Sequence, residues 1–150
     1  MQSPAVRIPA IPAWLGYGGL IPFVALASVG LVSNEYSGVC RHALLAYGAV
    51  ILTFVGALHW GFAMALTDVR DDRRNQAFVW SVLPALIAWI ALLVAAPFGS
   101  VLLLVGFSSQ YWQDRGLAQS STLPAWYMPL RLRLTLVASL CIAVGALANR

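Results

Sequence analysis

The stretch AYGAVILTFVGALHWGFA, residues 46–63, holds no charged residue and no proline, and carries one histidine, His59. It sits within an apolar run over residues 42–66, longer than the roughly 20 residues a helix needs to cross the hydrocarbon core of a bilayer. In lipid every backbone N–H and C=O must find its partner inside the protein, so such a run is a helix. Working outward, four more candidate spans appear at residues 14–32, 78–96, 98–113 and 131–148. The expectation is an all-α bundle of about five transmembrane helices in one membrane domain. The 98–113 segment is short, and reads as a full span only if it is extended to Asp114; otherwise it is re-entrant. Pro97, within APFG at residues 96–99, predicts a tight hairpin between the third and fourth helices.

Composition supports the bilayer as solvent. The chain is 61% hydrophobic and 9% charged, against roughly 45–50% and 25% in soluble domains. All nine basic residues are arginine. They are too thinly spread for nucleic acid and suit anionic lipid headgroups instead. Arginine in place of lysine, with abundant alanine, suggests a GC-rich bacterial genome and hence the bacterial inner membrane. The N-terminus, with Arg7 followed by Pro9 and Pro12, lacks a signal-peptide cleavage pattern, so the first helix is expected to be a true span.

Arginine and lysine concentrate on the cytoplasmic side of membrane proteins. Five spans put Arg7, Arg70, Arg73, Arg74, Arg115, Arg131 and Arg133 on one side and Arg41 and Arg150 on the other. The N-terminus is therefore inside and the C-terminus outside. Trp14, Trp60, Trp80, Trp112 and Trp126 fall near the same inner interface, where an amphipathic ring is at home. The loop TDVRDDRRNQ, residues 67–76, reads as a solvated turn, and its aspartates lack the spacing of a calcium loop. Residues 116–130, with Pro124, Trp126, Tyr127 and Pro129, read as an interfacial segment lying in the headgroups. LGYGGLI (15–21) and LAYGAVI (45–51) resemble each other weakly, as small apolar stretches do by chance.

Small residues at helical spacing mark where membrane helices touch. Gly16, Gly19, Phe23, Ala27 and Gly30 share one face of the first helix; Gly48, Leu52, Gly56, His59 and Ala63 share one face of the second. His59 thus points into the bundle. Pro22 and Pro84 interrupt the first and third helices, each freeing a carbonyl that needs another donor. Gly106, Gln110 and Asp114 are spaced by four on the fourth helix. Arg131 shares a face with Thr135, Ala138 and Gly145, whereas Arg133 is turned away toward lipid phosphate. Two cations at the start of a helix oppose its dipole, and Asp114 is the natural partner for Arg131.

Ionisable groups within spans are costly and default to functional candidates. These considerations outline a cytoplasmic-side ligand pocket of His59, Gln110, Asp114 and Arg131, rimmed by Trp60, Trp112 and Trp126. The alternative is that the same residues only tie helices together. No catalytic or metal signature occurs: there is no HExxH, CxxC, P-loop or GxSxG. Cys40 and Cys141 fit no metal spacing, and a disulfide would require both on one side of the membrane and close together. No cofactor is indicated.

LGYGGLIPF (15–23), AYGAVILTFVGALHWGFA (46–63), SVLPALIAW (81–89) and WYMPLRLRLTL (126–136) together resemble the transmembrane protein 69 family, in that family's order and over nearly the whole chain. The resemblance implies a multi-span helical bundle and marks His59, Trp60, Gly61, Trp126, Arg131 and Thr135 as motif positions. It implies no activity and no ligand, because the family's function is unknown. Two functions compete on the residues alone. One is binding or transport of a small amphipathic molecule such as a quinone, tetrapyrrole or lipid. The other is a non-enzymatic assembly or scaffold protein, packing through its small-residue faces against a partner membrane protein or a second copy of itself.

Overall fold

The computed structural model describes residues 7–65 and 70–147. Leu66, Thr67, Asp68, the last residue of the second predicted span and the start of the predicted turn, lie outside the described residues, as do Ala148 and Arg150. The described residues form an all-helical bundle: α1 (Ala10–Gly18), α2 (Ile21–Val32), α3 (Ser37–Ala65), α4 (Asp71–Leu93), α5 (Ala96–Ser120) and α6 (Tyr127–Leu147). Taken together, α1 and α2 make one span, and with α3, α4 and α6 they give four segments both long and apolar enough to cross a membrane. The fifth helix, α5, has the length at 25 residues, about 37 Å at the usual rise per residue.

Each predicted span falls largely on helix, the first of them on two, α1 and α2, and most boundaries move outward. The 98–113 segment is the largest correction: α5 begins at Ala96 and runs on to Ser120. Hydropathy loses it because its second half is polar, although one face of that half, with Gln110, Asp114 and Leu117, is buried against other helices. Pro97 does not make the hairpin. It sits in the first turn of α5, where a missing N–H costs nothing, and the chain reverses at Val94 and Ala95. The predicted turn at residues 67–76 is helical from Asp71. Asp71 and Asp72 occupy the first turn of α4, where negative charge suits the dipole, and Asp71 accepts a hydrogen bond from Arg74 at 2.9 Å. The predicted headgroup segment at 116–130 shrinks to residues 121–126 between α5 and α6.

The first span is broken between Gly18 and Ile21 rather than at Pro22, which occupies the first turn of α2. Gly19 retains helical torsion, and its carbonyl accepts a hydrogen bond from the Tyr47 hydroxyl of α3 at 2.9 Å. A side chain from the neighbouring helix thus satisfies a group exposed by the break, as the bilayer requires. Pro84 lies inside α4, fully buried.

Central in the bundle is α3, which packs on α4, α2, α5 and α6. Its inner face is the one expected: Gly48, Leu52, Gly56, His59 and Ala63 are all buried. The contacts explain the glycines. A Cβ on Gly56 would come within 2.7 Å of the Pro84 ring, one on Gly106 within 2.5 Å of Leu52, and one on Gly145 within 2.5 Å of Leu44. Phe23, Leu44, Leu52, Leu103, Phe107 and Ile142 fill the space between them. Gly99 is the tightest approach, because a Cβ there would strike the Ala91 carbonyl of α4, a backbone atom that cannot turn aside.

Gly99→Ala should therefore destabilise the bundle by about 1–3 kcal/mol, as overpacking does. Gly116→Ala, in the same helix with nothing within 4 Å of the added carbon, should be neutral or stabilising by up to about 1 kcal/mol. Thermal unfolding of the two variants in one detergent checks the contrast.

A buried carboxylate hub and the cleft beside it

Asp114 stands on the inner face of α5 with no exposed surface. Its position follows from the helix repeat, since Gly106, Gln110 and Asp114 recur every four residues and all three are buried. Three donors from three helices converge on it. His59 Nε2 of α3 lies 2.8 Å from Oδ1. Gln110 Nε2, one turn earlier on α5, donates to the same oxygen at 3.0 Å. Arg131 Nε of α6 donates to Oδ2 at 2.6 Å. Facing a carboxylate, His59 Nε2 carries the proton and Nδ1 is the free ring position.

Gln110 extends the network to a fourth helix. Its Nε2 also donates to the Val55 carbonyl at 3.3 Å, and its Oε1 accepts from the Trp80 indole at 2.8 Å. The amide therefore has one orientation that satisfies both ends. Trp80 was expected only as an interfacial ring. Its part in the site had no signal in the sequence, because the indole comes from a helix whose rotation about its axis is set by packing.

The four polar residues of the predicted pocket thus come together, while the tryptophans expected around them do not. Trp60 is 48% exposed and Trp112 66% exposed. Trp60 packs edge-on against Phe78, and Trp112 lies under the Arg115 guanidinium. Trp126 is half-buried beside Tyr127. Arg133 is exposed, as expected of a headgroup contact, and donates to the Tyr17 hydroxyl at 3.2 Å. Because α6 starts at Tyr127 rather than at residue 131, Arg131 lies in the second turn, beyond the reach of the terminal dipole. Burial, rather than the dipole, is what demands its acid. Cys40 and Cys141 are both buried free thiols. Among the described residues no three His, Cys, Asp or Glu side chains gather as metal ligands.

One face of α6 is left unsatisfied. Tyr127, Arg131 and Thr135 recur every four residues, all are buried, and each keeps one polar atom without a well-aligned hydrogen bond: the tyrosine hydroxyl, Arg131 Nη2 and Thr135 Oγ1. Thr53, Ser100, Ser108 and Ser109 each turn their hydroxyl back onto the carbonyl one turn earlier; Thr135 does not. Arg131 and Thr135 line a cleft of about 110 Å³ that opens where α1 and α2 part, with Gly19, Phe23, Phe54 and Phe107 on its other walls. The sequence pattern placed Thr135 on the packed face of α6, but nothing in it showed that the packing stops short of the hydroxyl.

Removing one partner of a buried ion pair leaves the other charge uncompensated, at about 3–5 kcal/mol. Asp114→Asn should destabilise by that order. The double variant Asp114→Asn with Arg131→Gln should recover part of the loss, and a double-mutant cycle from thermal unfolding in detergent reads the coupling.

Comparison with known proteins agrees with this architecture. A family model described as "Protein of unknown function (DUF3429)" matches residues 8–147. A Xenopus tropicalis protein named Transmembrane protein 69 is 38% identical over 144 residues, which cover 94% of this chain and 55% of the relative. A Mus musculus protein of the same name is 30% identical over 139 residues, covering 91% of this chain and 55% of the relative. The chain thus spans about half the length of the curated relatives it matches, and no solved structure matches it. With nearly its whole length matched by the family model, the chain belongs to the DUF3429 family of membrane proteins.

Proposed function

We propose that this chain binds a small amphipathic molecule in the cleft beside the buried hub, in the inner membrane of a bacterium. The apolar part of the ligand lies between α1, α3 and α6, and its hydrogen-bond-accepting end meets Arg131 Nη2 and Thr135 Oγ1. What carries this reading is that Arg131 and Thr135 line an otherwise apolar cleft and each hold a buried polar atom without a hydrogen-bond partner. A buried donor left without an acceptor costs about 1–3 kcal/mol, and a ligand oxygen removes that cost. The size of the cleft favours a lipid-like chain or a single quinone ring over a tetrapyrrole macrocycle.

The scaffold alternative relies on small-residue faces being free for a partner. Gly48, Gly56, Gly106 and Gly145 are instead buried against Leu103, Pro84, Leu52 and Leu44 of the same chain. This favours the ligand over the scaffold. Transport would require a second opening of the cleft, and binding is the function that the observed opening supports.

Native mass spectrometry of protein purified in a mild detergent should detect a bound amphiphile. Thr135→Val removes the hydroxyl without changing the shape, and Leu20→Trp fills the cleft; both should lose most of the adduct. Ser108→Ala, outside the cleft lining, should keep it. Equal adduct in all four proteins, or none in wild type across several detergents, overturns the proposal.

A further inference from the structure

The hub lies between two openings of opposite character. On the α6 side is the apolar cleft. On the other side, between α3, α4 and α5, a pocket of about 20 Å³ reaches His59 and is lined by Arg73, Gln76, Gln113 and Ser120. That is room for about one water. It lies at the arginine-rich end of the bundle, the end the charge asymmetry assigns to the cytoplasm. His59 therefore joins the two: one ring nitrogen holds Asp114, and the ring borders the polar pocket.

The charges around His59 can be counted element by element. Asp114 faces it from α5. Behind Asp114, α6 brings Arg131 and Tyr127. Arg73 of α4 stands in the polar pocket. Asp114 and Arg131 cancel, so with His59 neutral the buried hub carries no net charge. Arg131 and Thr135 line the cleft, and Arg131 Nη2 and Thr135 Oγ1 are buried there without a hydrogen-bond partner, while the Tyr127 hydroxyl one turn earlier lies within reach of Asp114 and Arg131. Arg131 Nη2 can only donate and the Thr135 hydroxyl can donate beside it, which suits a head with more than one acceptor oxygen. An anionic head placed there would be unbalanced in a low-dielectric interior unless one positive charge entered with it. Imidazole is the side chain that changes charge between about pH 5 and 8, and His59 is the titratable group here that borders a polar opening.

Building on the ligand reading above, we propose that the cleft takes the anionic head of a single-chain amphiphile, and that binding draws one proton from the cytoplasmic side onto His59. The proton enters at Nδ1 while Nε2 keeps its hydrogen bond to Asp114. Hub and head together then remain neutral.

The test uses two probes in neutral maltoside micelles: hexadecyl sulfonate, whose head stays anionic, and palmitamide, an uncharged acceptor. Affinity for the sulfonate should fall by up to about tenfold per pH unit somewhere between about pH 5 and 8, and affinity for the amide should stay flat. A pH-indicator dye should report about one proton taken up per sulfonate bound by wild type and none with the amide. His59→Gln, whose amide can still donate to Asp114, should abolish both the slope and the uptake while amide binding persists. Flat sulfonate binding, no uptake in wild type, or a slope that survives in His59→Gln overturns the proposal. The wild-type proton count decides even where the variant fails to fold. If only the amide binds, the proton-linked inference fails and the ligand reading stands; if neither probe binds, the ligand reading itself fails.

Discussion

A carboxylate withdrawn completely from water in a membrane bundle is the constraint around which this protein is arranged. Alone, a buried charge of this kind would cost far more than a fold can spare. Asp114 is tolerable because donors from α3, α5 and α6 reach it within 2.6–3.0 Å. Gln110 then carries the network to Trp80 of α4. Four helices are pinned to one another at the arginine-rich end by a single side chain and its neighbours. The rotation of each helix about its axis, and its height in the bundle, follow from the need to present one particular donor.

The remainder of the core works to a different rule. Toward the other end of the bundle the helices meet through small residues and branched apolar side chains, with Gly99 against the Ala91 carbonyl and Gly106 against Leu52. Lipid tails are as apolar as leucine, so close approach and dispersion hold this half together rather than exclusion from water. The two halves are complementary. Close packing sets the distance between helices, and the polar hub sets their register.

The break between α1 and α2 is where the packing is incomplete. Tyr47 satisfies the Gly19 carbonyl there. The break leaves a cleft that ends on Arg131 and Thr135. A helical bundle needing only to be stable would gain by letting Thr135 bond its own backbone, as Thr53 does on α3. That unfilled valence, next to a hub already balanced in charge, is what gives the cleft a chemical character.

Much of the fold was legible in the amino-acid order. The 46–63 stretch and its neighbours determined an all-helical membrane bundle, because a backbone in lipid has so few ways to satisfy itself. The spacing of Gly48, Gly56 and His59, and of Gly106, Gln110 and Asp114, determined which faces turn inward, because helix periodicity is local. It also paired Asp114 with Arg131. Helix ends were less legible: hydropathy reports where apolar residues stop, whereas α4 and α5 continue as helix through polar residues from Asp71 and on to Ser120. Only the tertiary structure decided what surrounds the hub. Trp60 and Trp112 turn outward, Trp80 turns in, and Arg131 and Thr135, which line the cleft beside the broken first span, each keep a buried polar atom without a hydrogen-bond partner. Those outcomes depend on how far apart packed helices come to rest, a distance set by side chains remote in sequence, and the periodicity of any one helix carries no record of it.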